Sequence, residues 1–287
     1  MKRILTATVL IAAVFALIFF GKPWMIVLAA AIVAELAVYE YLKLAAVGAE
    51  ANGAHLRIPA WWMTIATAVA FIVTLPNIPV DAQLPVLCAL TLILFAWNGF
   101  RAPLIQVLPD TAQGLFGLIW IAYPLTLVPL LWKQENGPAL VFFLMVCVWS
   151  GDIAALYIGR TFGKHKLAPT ISPGKTWEGA FASILGSLAA AGLVIWIGDL
   201  LTARGNLILH ITEPIWQTLM LAAVLNVAAQ LGDLLESAVK RGAGVKDSGT
   251  MLPGHGGILD RIDALLVATP VLWFALLLKD TFGLGRF

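Results

Sequence analysis

An all-α, polytopic integral membrane protein of about nine spans, with its N-terminus in the cytoplasm, is the fold class this sequence predicts. Three observations predict it. Of 287 residues, 61% are hydrophobic and only 12% are charged, whereas a soluble domain carries about a quarter charged residues. Nine apolar stretches approach the roughly 20 residues a helix needs to cross the hydrocarbon core. The Lys and Arg residues between those stretches fall mostly on one side.

The spans are expected at 4–20, 24–47, 60–78, 84–100, 114–132, 138–159, 178–201, 216–238 and 258–278. The first begins with Lys2 and Arg3 before an apolar run, as a signal peptide does. Gly21-Lys22-Pro23 follows without a small-x-small cleavage pattern, so the run reads as a retained span. Turn residues separate other spans, as at Pro76-Asn77-Ile78-Pro79 and Glu135-Asn136-Gly137-Pro138. Two connections, 160–177 and 239–257, are long and polar. Sorting the 18 Lys and Arg residues by side leaves 13 with the N-terminus and 5 opposite. That places the N-terminus and both polar connections in the cytoplasm and, for nine spans, the C-terminus outside. Cys88 and Cys147 sit in apolar runs and read as packing residues. A net charge of +2 gives no charge-driven reason to bind nucleic acid.

The chain divides functionally. Residues 1–110 read as transmembrane scaffold or as a wall of a lipid site, and residues 111–287 as the catalytic region. Asp152, Asn226, Gln230, Asp233, Glu236, Asp260 and Asp263 lie in or beside the later spans. Ionisable groups at membrane depth are costly and by default mark a site. Asn226, Gln230, Asp233 and Ser237 fall at i, i+4, i+7 and i+11, one helical face. That stripe points into a wet cavity, or else it is hydrogen-bonding glue between helices.

From Ser237 to Asp263 the chain reads SAVKRGAGVKDSGTMLPGHGGILDRID. Lys240, Arg241 and Lys246 supply cations, and Asp247, Asp260 and Asp263 supply carboxylates. Glycines flank His255 and let backbone amides approach a ligand at the start of the last span, a favourable place for phosphate. Carboxylates beside cations and phosphate are how Mg²⁺ sites are built. A third block, 149–179, carries Asp152, Lys164, His165 and then Ser172-Pro173-Gly174-Lys175-Thr176-Trp177-Glu178-Gly179. Gly174-Lys175-Thr176 is not a P-loop end, because that motif places a glycine where the chain has Pro169. Amides, a lysine and a hydroxyl there can still hold triphosphate oxygens. His55 and His210, in short polar connections, read as solvated.

The segment from Ser237 to Asp263 closely resembles the signature of phosphatidate cytidylyltransferases. Ser237, Lys240, Arg241, Lys246, Asp247, His255, Gly256, Gly257, Asp260, Arg261 and Asp263 all match it, and the blocks at 150–152 and 172–179 also look like that family's. The resemblance implies CTP and phosphatidic acid as substrates, a multi-pass enzyme of the cytoplasmic (inner) membrane with its site facing the cytoplasm, and a possible homodimer. It implies Mg²⁺, with two metal positions and the second ion's identity open, held by Asp233, Asp260 and Asp263. The expected catalytic residues are Asp233, Asp260, Lys240 and Arg241. Substrate contacts are expected from Asp152, Lys164, Ser172, Lys175, Thr176, Glu178, Ser237, Lys246, Asp247, His255, Gly256, Gly257 and Arg261. The competing readings are a transporter, disfavoured because all polar features sit in one half, and a CTP-dependent lipid kinase.

Overall fold

The computed structural model describes residues 2–51, 53–75, 78, 82–251 and 256–282, and their side chains except at 2–10, 280 and 282. The helices are α1 (Lys2–Phe20), α2 (Pro23–Ala51), α3 (Ala60–Ile72), α4 (Gln83–Arg101), α5 (Leu104–Gly117), α6 (Tyr123–Trp132), α7 (Gly137–Phe162), α8 (Trp177–Thr202), α9 (Ile215–Gly242) and α10 (Leu259–Phe282). A π-turn, Leu118–Ala122, joins α5 to α6, so that Leu104–Trp132 runs as one helix. Among the described residues, seven helices are long and apolar enough to cross a membrane, and the chain is a polytopic membrane protein.

The helices follow the apolar runs, with three departures. The helix expected over 60–78 stops at Ile72: Thr74 Oγ1 donates to the Phe71 carbonyl at 2.7 Å, and the chain then meets Pro76, before which α conformation is disfavoured. The helix expected over 114–132 starts ten residues earlier, after Pro103, where a proline is compatible with a helix start. Its polar first half, with Gln106, Asp110 and Gln113, hid it from a hydropathy reading. The connection 160–177 is not a loop but an antiparallel ribbon, β1 (Lys166–Ala168) with β2 (Ser172–Thr176), pairing Lys166 with Thr176 and Ala168 with Ser172. The ribbon is a small addition to an otherwise all-helical fold, its two strands satisfying each other's backbone groups outside the apolar spans.

The chain forms two compact units. Unit 1 comprises Met1–Pro23, Leu131–Ala238 and Asp263–Phe287. In it α1 lies on α7, with the Phe15 and Phe142 rings 5.3 Å apart and Trp132 Nε1 donating to the Ile18 carbonyl at 2.8 Å. Small residues let α7 and α8 approach closely: a Cβ on Gly186 would sit 2.6 Å from that of Ala154.

Unit 2 comprises Trp24–Leu130 and Val239–Ile262. Tyr41 of α2 donates to the Gln113 carbonyl of α5 at 2.8 Å, and Asn98 of α4 donates to Thr111 Oγ1 at 3.1 Å. The Trp61 and Trp97 rings meet edge to face at 5.2 Å. Unit 2 also holds a cavity of about 610 Å³, mostly apolar, between α2, α5 and the end of α9. Outward-facing Phe100, Leu104, Leu185 and Trp196 are exposed, as on helices meant for lipid.

Candidate active site

In unit 1 the ribbon delivers a lysine to an aspartate. Thr176 caps α8, its Oγ1 accepting from Gly179 N at 3.2 Å, and Trp177 N donates to the His165 carbonyl at 2.9 Å. These bonds fix β2 against the helix start. Lys175, the residue before the cap, then reaches Asp233 on α9, Nζ to Oδ2 2.7 Å. Asp152 on α7 lies within electrostatic reach of both Lys175 and Asp233. Ser237, one turn beyond Asp233, donates weakly to its Oδ1 at 3.4 Å. Gly232 lets α9 touch α10: a Cβ there would fall 2.5 Å from the Asp263 carbonyl oxygen. Asp233 and Asp263 therefore sit on touching helices, and Asp263 Oδ1 accepts from Ala264 N at 2.8 Å.

The polar stripe of α9 splits. Asn226 is buried and donates to Ser183 and Ser187 of α8 at 3.0 and 2.9 Å. Gln230 donates to Asn226 Oδ1 at 2.7 Å and to the Ala180 carbonyl at 3.2 Å, and Ser187 donates to the Cys147 carbonyl of α7. The first half of the stripe is interhelical glue, which corrects the wet-cavity reading for those two residues. Asp233 and Ser237 carry the stripe on to the charged part.

In unit 2 the segment after α9 folds back onto the start of α10. Lys240 Nζ lies 2.7 Å from Asp260 Oδ1, and both side chains are nearly buried, at 12% and 10% exposure. Asp260 also accepts from Ser248 N at 3.1 and 3.2 Å and from Gly257 N at 2.8 Å. Gly256 has φ +80°, and a Cβ there would crowd Asp260 Oδ2 at 2.8 Å, so glycine is required on both counts. The Gly257 amide, expected to stand open to a ligand, thus donates to Asp260. Arg241 donates to the Val245 carbonyl at 3.0 Å and is exposed, as are Lys246, Asp247 and Arg261.

Glu40 of α2 is the residue hydropathy passed over. It is 2% exposed, and its Oε2 accepts from Ser248 Oγ at 3.1 Å and from Leu259 N at 2.9 Å. The signal was present: a carboxylate inside an apolar span, between Tyr39 and Tyr41.

The remaining expected residues are placed as follows. Glu178 accepts from His165, ring Nδ1 to Oε1 2.7 Å, and pins the ribbon's entry. The hydroxyl of Thr176 is committed to its cap, and Ser172 is half-buried at the start of β2. Lys164 is exposed before the ribbon. His255 lies outside the described residues. Among the described residues, no three His, Cys, Asp or Glu side chains cluster as a ready metal cage. The donor chemistry nevertheless fits a hard cation: Asp233 holds a carboxylate oxygen 2.7 Å from the Lys175 ammonium, and the Asp152 carboxylate interacts electrostatically with both. Mg²⁺ binds through one or two carboxylates plus substrate phosphates, not through a full protein cage.

The family model described as "Cytidylyltransferase family" matches residues 1–278. A phosphatidate cytidylyltransferase of Brucella suis is 36% identical over 235 residues, 82% of this chain and 78% of the relative. That of Haemophilus influenzae is 31% identical over 94% of this chain and 96% of its own length. That of Mycobacterium bovis is 34% identical over 60% of this chain and 52% of its own.

Proposed function

The chain belongs to the cytidylyltransferase family, and from that membership we propose that it condenses CTP with phosphatidic acid, giving CDP-diacylglycerol and pyrophosphate for phospholipid biosynthesis. The observation that carries this reading is the pair of lysine–carboxylate contacts, Lys175–Asp233 and Lys240–Asp260, each at 2.7 Å. Lys175, Lys240 and Asp260 fall on residues of the signature blocks and Asp233 on the polar stripe of α9 four residues before Ser237, and each contact sets a cation beside a carboxylate where a phosphate or metal ion can replace the partner.

An oxygen of the phosphatidate monoester attacks the α-phosphorus of CTP. The bond from that phosphorus to the bridging oxygen breaks, and pyrophosphate leaves with the electron pair. A phosphate monoester has its second pKa near 6 and is largely dianionic at neutral pH, so no strong general base is required. The barrier lies in bringing two anions together, and phosphoryl transfer depends on positioning and electrostatics. Lys164, Lys175, Lys240, Arg241, Lys246 and Arg261 supply positive charge for phosphate oxygens. Asp233, Asp260 and Asp263 are the carboxylates assigned to Mg²⁺, with two metal positions, and Asp152 interacts electrostatically with Asp233. Bound Mg²⁺ would neutralise charge on the phosphates. The apolar cavity of unit 2, lined in part by Val239 and Ala243, offers room for acyl carbon next along α9 to Lys240 and Arg241.

In this reading α1 and α3 also cross, giving nine spans, and the ribbon and the Ser237–Asp263 segment face the cytoplasm, where CTP is. The enzyme resides in the cytoplasmic (inner) membrane, and a homodimer through apolar helix faces is part of the proposal. The test is product analysis of purified protein in micelles with phosphatidic acid, Mg²⁺ and CTP labelled at the α-phosphorus. Label entering the lipid with pyrophosphate released in step supports the proposal. Label left in water as CDP, with phosphate gained by a lipid, would make the protein a CTP-dependent lipid kinase instead.

A further inference from the structure

We propose that Glu40 is a positioning residue of the cytidylyl-transfer site: a buried carboxylate oxygen on α2 that holds Ser248 and the first residue of α10, and through them aims the Lys240–Asp260 pair. The inference rests on the cytidylyltransferase reading and concerns a residue outside the signature.

The geometry is specific. One oxygen, Oε2 of Glu40, accepts both from Ser248 Oγ at 3.1 Å and from Leu259 N at 2.9 Å. Ser248 is shared between two acids, because its backbone N–H points at both oxygens of Asp260, at 3.1 and 3.2 Å. Leu259 immediately precedes Asp260 and is itself fully buried. Fixing Ser248 and Leu259 therefore fixes the backbone on both sides of the Asp260 carboxylate, which holds Lys240 Nζ at 2.7 Å. Two glycines make room for the arrangement: a Cβ on Gly249 would lie 2.5 Å from Glu40 Oε1, and one on Gly257 would collide with Glu40 Oε2 and Ser248 Oγ. The segment has closed around this carboxylate. A buried carboxylate is costly unless hydrogen-bonded, and among the described residues both donors to Glu40 Oε2 come from the segment that carries the chemistry. The placement at the start of α10 adds the favourable field of a helix N-terminus.

Because a single oxygen takes both bonds, the length of the side chain matters more than its charge. Glu40→Gln keeps an acceptor at the same reach, whereas Glu40→Asp keeps the charge and withdraws the acceptor by one methylene. Turnover with labelled CTP is measured for wild type, E40Q, E40D, E40A and Ser248→Ala, each normalised to folded protein by its thermal transition in detergent. Wild-type turnover to lipid-bound label tests the reaction itself; the variants test Glu40. The expected order is E40Q within about threefold of wild type, with E40D and E40A down at least tenfold in kcat. KM for phosphatidic acid should change less than kcat in those two. S248A should lose less than E40A and add nothing to it in the double variant. Equal kcat per folded molecule in all variants would reduce Glu40 to packing and overturn the proposal. E40D retaining activity while E40Q loses it would also overturn it, since charge and not reach would then matter. If E40A fails to fold, the E40Q and E40D pair decides alone.

Discussion

Asp233 and Asp260 each face one lysine at 2.7 Å, yet they are not alike. Asp233 is 39% exposed and Asp260 only 10%. Asp260 also holds two backbone amides, so it organises the chain as well as any ligand. Asp233→Asn should therefore abolish turnover, by a factor of about 10³ or more, with little change in thermal stability; near-normal turnover would remove Asp233 from the metal set. Its half-saturating Mg²⁺ concentration should rise if any activity survives. Asp260→Asn should lose turnover and stability together. The nearly buried Lys240 ammonium loses the charge it faces at 2.7 Å, and breaking a buried pair costs about 3–5 kcal/mol, readable as a lower melting temperature in detergent. Asp260 was legible in the sequence because it falls in the signature spacing, and Asp233 because it is an acid on the polar stripe of α9. Glu40 was not, because its role comes from an oxygen meeting Ser248 and Leu259, each more than 200 positions away along the chain.

At the scale of elements, α7, α8 and α9 meet through Asn226, Ser183 and Ser187, and Gly151 is the residue that lets them. A Cβ at Gly151 would strike Asn226 Nδ2 and crowd Ser183 Oγ at 2.8 Å. Gly151→Val should lower stability far more than Asn226→Ala, which loses hydrogen bonds worth about 0.6 kcal/mol each on average in membranes. Comparable losses from both would mean the helices can separate freely there. The ribbon offers a milder case. Thr176→Ala removes the cap of α8, about 1 kcal/mol, and frees the strand end that presents Lys175, so activity should fall more than stability. Helix positions were legible from hydropathy, since period and length are local properties. The ribbon was not, because three and five residues, with a proline and a glycine among them, carry too little pattern to announce strands. The stripe on α9 was legible as a face, but what that face meets depends on α8, and only tertiary placement separates glue at Asn226 from charge at Asp233.

For the whole molecule, the side on which the charged segments emerge depends on α3. It has 13 residues, about 20 Å at 1.5 Å per residue, against a hydrocarbon core of about 30 Å. Between Ala82 and Lys166 lie three long helices, α4, the Leu104–Trp132 helix and α7, so those two positions must report opposite faces. If α1 and α3 both cross from a cytoplasmic N-terminus, Ala82 is outside and the ribbon inside. If α1 crosses and α3 does not, the ribbon and its Lys175 are outside, away from cytosolic CTP. A protein with Cys88 and Cys147 replaced, carrying single cysteines by Ala82→Cys, Lys166→Cys or Lys246→Cys, distinguishes the two. A membrane-impermeant maleimide added to intact cells whose inner membrane is accessible should label position 82 and leave 166 and 246 untouched until the membrane is opened. A short helix can cross by thinning the bilayer locally at modest cost, and the excess of Lys and Arg on one side supports that orientation. Label on 166 and 246 from outside would place the lysines opposite the nucleotide and overturn the assignment of the site along with the topology.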